Sequence, residues 1–170
     1  LHARGAAHLE AGRLDQAIPA LEQAADASAA VHGPEHPHTV RSLVALARAH
    51  WQSGDKEKAK ALMAKAWSAA RAGIASANPL AGLALDAVAA FAKRRGDHAQ
   101  AAKVYEESVQ VMESEMGSKH PLLADTLVGL AETYREQGRH GEAVEAYNRA
   151  VKALEARYGA GHPAVAKALV

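Results

Sequence analysis

Cysteine is absent from the 170-residue chain, which excludes disulfides, thiolate zinc sites and cysteine nucleophiles within it. Aromatic residues amount to only 4%, with one phenylalanine, although hydrophobic residues reach 49%. The apolar content is therefore Ala, Leu and Val, which suits close helix packing and suits strands poorly. Charge of one sign is also lacking: 20 Lys+Arg face 19 Asp+Glu, a formal net charge of +1. That balance removes the electrostatic footprint of a general nucleic-acid binder or a polybasic membrane anchor, so neither partner is expected. No run approaches the roughly 18 apolar residues needed to span a bilayer. With no signal segment either, a cytoplasmic location is expected.

What the chain does have is a ruler. Gly12, Gly54, Gly96 and Gly138 are 42 residues apart, and each opens a similar phrase ending in Ala17, Ala59, Ala101 or Ala143. His36-Pro37, Asn78-Pro79, His120-Pro121 and His162-Pro163 repeat with the same step. Two landmarks in one register identify an internal repeat, and four periods leave no room for a separate catalytic domain. Leu127, Leu130, Ala131 and Tyr134 follow the i, i+3, i+4, i+7 spacing of one helical face. Ala143, Tyr147, Ala150, Val151 and Leu154 form a second stripe. The glycine between them fits a helix C-terminus, where positive φ is needed, and the proline fits a following first turn. Asn78 reads as an N-cap, a role less obvious for histidine. Each period is a helical hairpin.

These residues resemble a known family. Leu127-x2-Leu130-Ala131-x2-Tyr134, followed by Ala143-x3-Tyr147, is similar to the tetratricopeptide (TPR) pattern, over the entire chain. The usual repeat is about 34 residues. The longer period extends the second helix and ends in Gly33-x2-His36-Pro37, Gly117-x2-His120-Pro121 and Gly159-x2-His162-Pro163. That long form resembles kinesin-light-chain-like arrays and many bacterial proteins. The resemblance implies an all-α fold, a right-handed α-solenoid of stacked hairpins. Its units would span approximately 1–35, 36–77, 78–119 and 120–161, with 162–170 a partial fifth first helix serving as a cap. Leu1 aligns with Leu43 inside a first helix, so the stretch reads as a piece of a longer chain. The joint before repeat three, Ala75 to Pro79, lacks the usual glycine. Gly73 lies two residues earlier, which predicts a second helix that stops sooner or bends, with altered curvature there.

Candidate chemistry is sparse. No phosphate-binding glycine loop, dinucleotide fingerprint, zincin motif or nucleophile elbow occurs, so no catalytic residue and no cofactor is expected. Glu35-His36-Pro37-His38 is the densest potential ligand cluster. Recurrence of His36, His120 and His162 at the joint favours a structural role over a metal, so no metal site is expected. His8 and His50 share the Tyr134 slot and read as packed helix residues. Glu106, Glu107, Glu113 and Glu115 read as a solvated face.

The TPR resemblance further implies a concave groove lined by the first helices. Carried over by position, the candidate peptide-binding residues are Arg41, Arg48, Trp51 and Gln52 in repeat two. Repeat three offers Asp86, Lys93 and Arg94, and repeat four Asp125, Glu132, Arg135 and Glu136. The apolar members are Val44, Leu83, Ala90 and Val128, and repeat one adds His2, Ala6, Leu9 and Glu10. Structural slots keep their character between repeats, whereas these vary: one slot holds Leu9, Trp51, Lys93 and Arg135. Trp67 aligns with Ala25, Val109 and Val151 and is expected in the core. Trp51 is expected to be partly exposed beside Lys93 and Arg94. The basic residues gather in repeats two and three, which fits a partner with an acidic segment. The asparagine clamp that holds chaperone tails is absent, since its slot holds Ala6, Arg48, Ala90 and Glu132. A non-enzymatic protein- or peptide-binding module is the leading reading. The alternatives are a regulatory segment of a bacterial enzyme, such as a Ser/Thr kinase or nucleotide-dependent regulator, and self-association through the repeat ends.

Overall fold

The structure, a computed structural model, describes residues 1–75, 81–163 and 165. Among them are eight helices and no strand: α1 (His2–Glu10), α2 (Leu14–His32), α3 (Pro37–Ser53), α4 (Lys56–Ala75), α5 (Ala81–Arg94), α6 (His98–Met116), α7 (Leu122–Glu136) and α8 (His140–Tyr158). The all-α class expected from the helical periodicity and the TPR resemblance is the class found. Second helices run 19 or 20 residues against 17 or fewer for first helices, so the long period does lengthen the second helix.

The chain divides into two compact units, Leu1–Val88 and Ala89–Val170, with the divide inside α5. In the first, α1 packs on α2, α2 on α3 and α3 on α4. Leu9, Ala17, Leu21, Leu46 and Ala49 form a core there, with Leu14, Ile18 and Leu62 against it. In the second, α6 packs on α7 and α7 on α8, burying Tyr105, Met112, Leu123, Leu127, Leu130 and Tyr134. Burial of each such large side chain contributes roughly 1.5–3 kcal/mol. The alanine that follows each glycine phrase (Ala17, Ala59, Ala101, Ala143) is buried in every hairpin, because only a methyl fits where the paired helices approach.

Local signals explain the helix ends. Gly54 terminates α3 in the left-handed conformation (φ 92°, ψ −7°), which an L side chain adopts only with strain. Asp97 accepts from the Gln100 N–H at 3.2 Å and Asp55 from the Lys58 N–H at 3.2 Å, capping α6 and α4. Histidine proves to be a cap at α3, where His36 Nδ1 accepts from the His38 N–H at 3.2 Å; at α7, whose N-cap is Pro121, His120 Nδ1 one residue earlier accepts from the Leu122 N–H at 3.3 Å. A neutral imidazole with its proton on Nε2 has the acceptor that position requires.

Gly73 does not stop α4, which continues to Ala75. Its place is a close approach: a Cβ there would lie 3.0 Å from the Glu35 backbone oxygen, so glycine lets α4 seat against the turn before α3. The Asn78 cap, the Asn78-Pro79 joint and most of the 162–170 helix lie outside the described residues.

Candidate interaction surface

In the first unit the candidate side chains come from the exposed face of α3 and the start of α5. Arg41 and Gln52 are exposed. Trp51 is partly buried, with Lys56 Nζ 5.5 Å from its ring centroid, so a cation from the next helix already covers part of the indole. Asp86 is partly buried. Leu9, expected on the open face, instead sits 3% exposed in the core, because a leucine in this slot is drawn against Leu21 and Leu46. Trp67, expected in the core, is only partly buried: its slot lies at the edge of the α4 apolar stripe, where the large indole extends to the surface.

In the second unit Arg94, Asp125, Arg135 and Glu136 are exposed. Lys93 lies in the last turn of α5 and Arg135 in that of α7, where cations complement the helix dipole irrespective of any partner. Glu136 meets His98 Nδ1 at 2.9 Å, and the Gln137 side-chain N–H donates to the His98 carbonyl at 2.7 Å.

Arg48 and Lys93 depart most from expectation. Both are candidate peptide-binding residues, a role that calls for open side chains, yet their side chains are only 22% and 19% exposed. Arg48 pairs with Glu10, and Lys93 pairs with Glu132. Each pair staples one first helix to the next, α1 to α3 and α5 to α7. Both use the slot that holds asparagine in a carboxylate clamp, and the polarity inverts: Arg48 is the cation in one, Glu132 the anion in the other. Part of the variation between repeats is thus internal complementarity. The signal in the sequence is opposite charges 38 and 39 residues apart, one hairpin minus a helical turn.

The second helices carry further contacts that the sequence pattern did not single out. Glu113 is not merely solvated: Arg149 donates to it at 2.7 Å. Glu106 accepts from the Tyr134 hydroxyl at 2.8 Å. Burial and this bond push the Tyr134 hydroxyl up to about 12, so it stays protonated and acts as a donor, with Arg139 stacked 4.2 Å from its ring centroid. No group of three His, Asp or Glu side chains among the described residues is placed to hold a metal ion. No helix among them is long and apolar enough to cross a membrane.

The geometry therefore consists of helical hairpins with charged first-helix faces, partly neutralised by internal pairs. The family model described as tetratricopeptide repeat matches residues 1–72 and 80–156. The chain belongs to the tetratricopeptide-repeat family. Among solved structures it is similar to the nearly identical TPR-like repeats of a Podosopora anserina protein described as a kinesin light chain. The identity is 23% and the TM-score 0.74, over 98% of this chain and 79% of that one; a single-substitution variant of the same repeats matches equally. BtubC (BKLC) from P. vanneervenii is similar at 19% identity and a TM-score of 0.73, over 91% of this chain and 62% of that one. None of the curated proteins matches the chain in sequence. TPR repeats generally mediate protein–protein interaction, and the fold is typically non-catalytic.

Proposed function

We propose that the chain is a protein-interaction module that takes a peptide or partner segment on the exposed faces of its first helices, and that the partner carries an acidic stretch. One observation carries the reading. Internal pairing consumes Arg48 and Lys93, while Arg41, Arg94 and Arg135 remain exposed and make no ion pair among the described residues. Guanidinium groups present planar bidentate donors for carboxylates, and such groups raise the rate and specificity of docking more than its affinity. Gln52 and the exposed part of Trp51, on the same helix as Arg41, supply a neutral donor and an apolar anchor in the first unit.

The test is fluorescence anisotropy with a labelled peptide of alternating glutamate and leucine at physiological salt. Wild type is compared with the Arg41→Glu, Arg94→Glu, Arg135→Glu triple variant and with a Lys60→Glu, Lys103→Glu control on the second helices. The triple variant is expected to lose at least tenfold in affinity, about 1.4 kcal/mol, and the control less than twofold. Loss confined to the control places the interaction on the second helices and refutes the reading.

A further inference from the structure

Three imidazoles gather where α2 hands over to α3. The rings of His32 and His36 stack with centroids 4.6 Å apart and 26° between planes. His38 lies 5.1 Å from His36 and 6.1 Å from His32. His36 is also the α3 N-cap, through an unprotonated Nδ1. We propose that this joint is an acid-sensitive latch: protonation of the stacked His32 and His36 releases the cap and loosens the first turn of α3.

The chemistry follows from what a proton does there. A protonated imidazole has no acceptor, so the His38 N–H loses its partner. The new cation faces the positive end of the α3 dipole, which is unfavourable by itself. A second proton on His32 places two like charges in a ring stack. The surrounding charges do not relieve this. Beside it, His2 of α1 is held below its ordinary value of 6.5, first by burial and then by Arg41 and His38 of α3 and the N-terminus, so the neighbouring groups on α1 and α3 are cationic or neutral. Glu35 lies in the turn itself, sharing a cleft with Asp26 of α2 and Lys65 of α4. His36 is held below 6.5, first by burial and then by His32 and His38. A histidine with a lowered folded value favours the neutral form, so its stabilising contribution is complete above 6.5 and lost as pH falls through the window beneath it.

The chain contains its own comparisons. Three periods on, Tyr158 stacks on His162 at 4.7 Å and 21°, the same arrangement with the His32 position replaced by a ring that cannot become a cation. At the joint before α7, the positions of His32 and His38 hold Met116 and Leu122, so His120 accepts from the Leu122 N–H with no second imidazole at either of those positions. Asn78 fills the His36 position in sequence, and an amide oxygen accepts at any pH.

Thermal unfolding followed by circular dichroism at pH 7.5 and pH 5.0 tests the latch in wild type, His36→Asn, His32→Tyr and His120→Asn. General acid effects are common to all four, so differences between them isolate the joint. His36→Asn is expected to reduce the acid-induced fall in Tm by roughly 2–4 °C, the shift associated with one N-cap in a chain of this size. His32→Tyr should reduce it by less, and His120→Asn least. Proton NMR titration of the wild-type rings should place His36 below the ordinary histidine value. An acid-induced fall that is the same in wild type, His36→Asn and His32→Tyr overturns the proposal, as does a His36 ring that titrates at or above 6.5.

Discussion

Where the second unit holds Tyr134, the first holds His50, and the surroundings have changed to suit. Tyr134 donates its hydroxyl to Glu106, while Arg139 stacks on the ring and binds Glu142 through Nε at 2.6 Å. The equivalents of Glu106 and Glu142 in the first unit are Glu22 and Lys58, which pair directly at 3.3 Å. Two carboxylates in the second unit cannot pair with each other, so tyrosine and arginine take one each. His50 in turn lies 3.6 Å from Asp55 through Nδ1, and its buried Nε2 has no hydrogen-bond partner among the described residues. One scaffold therefore satisfies the same slots with two different polar networks. The Glu113–Arg149 contact shows the same trade. Its positions in the first unit hold Ala29 and Lys65, which line a cleft of about 360 Å³ instead of forming a bridge.

The comparison can be broken most severely at the shared buried alanine. Ala17 is fully buried and Ala143 is 4% exposed. Ala17→Asp and Ala143→Asp should each cost about 3–5 kcal/mol, the penalty of an unpaired buried charge. Urea unfolding followed by circular dichroism checks both. Should either variant match wild type, the helices do not close on that alanine and the alignment of the two units fails.

A smaller effect separates the two polar networks. Tyr134→Phe keeps the ring and removes the donor to Glu106, so it should cost about 1 kcal/mol. His50→Phe removes a buried nitrogen that lacks a partner and should change stability by less than about 0.5 kcal/mol, or raise it, since an unsatisfied buried polar atom carries its own penalty. Equal losses in the two variants would show that the slots are energetically alike despite their different partners.

Much of the fold was legible because it depends on features that repeat. The glycine at each turn, the alanine at each close approach and the leucine stripes recur every 42 residues, and each has a steric cause that sequence displays directly. Gly73 misleads because glycine has two uses. Left-handed termination and close approach look alike until the neighbouring Glu35 backbone is seen. The histidine caps were half legible: position pointed to a cap, but the Nδ1 acceptor depends on tautomer. The surface was least legible. Charges at 10, 48, 93 and 132 vary between repeats as a binding face would, yet they complement each other across neighbouring helices, a relation that appears only when α1 lies against α3 and α5 against α7.

The smallest effect tests that complementarity directly. If Lys93 and Glu132 are an internal staple, Lys93→Glu alone sets two carboxylates facing each other, and Glu132→Lys alone sets two ammonium groups. Either single change should cost up to about 1 kcal/mol, the upper range for partly exposed pairs. The double exchange restores opposite charges with inverted polarity, the arrangement that Glu10 and Arg48 already use in the first unit. It should therefore recover most of the loss, a coupling energy of about 0.5–1 kcal/mol in the double-mutant cycle. Salt sharpens the reading, because screening at about 1 M shortens the Debye length to roughly 3 Å and should shrink the coupling. Chemical unfolding of the four proteins at low and high salt measures it. Losses that simply add, with no recovery in the double variant, would mean that Lys93 and Glu132 do not act as a pair, and both would return to the set of side chains free for a partner.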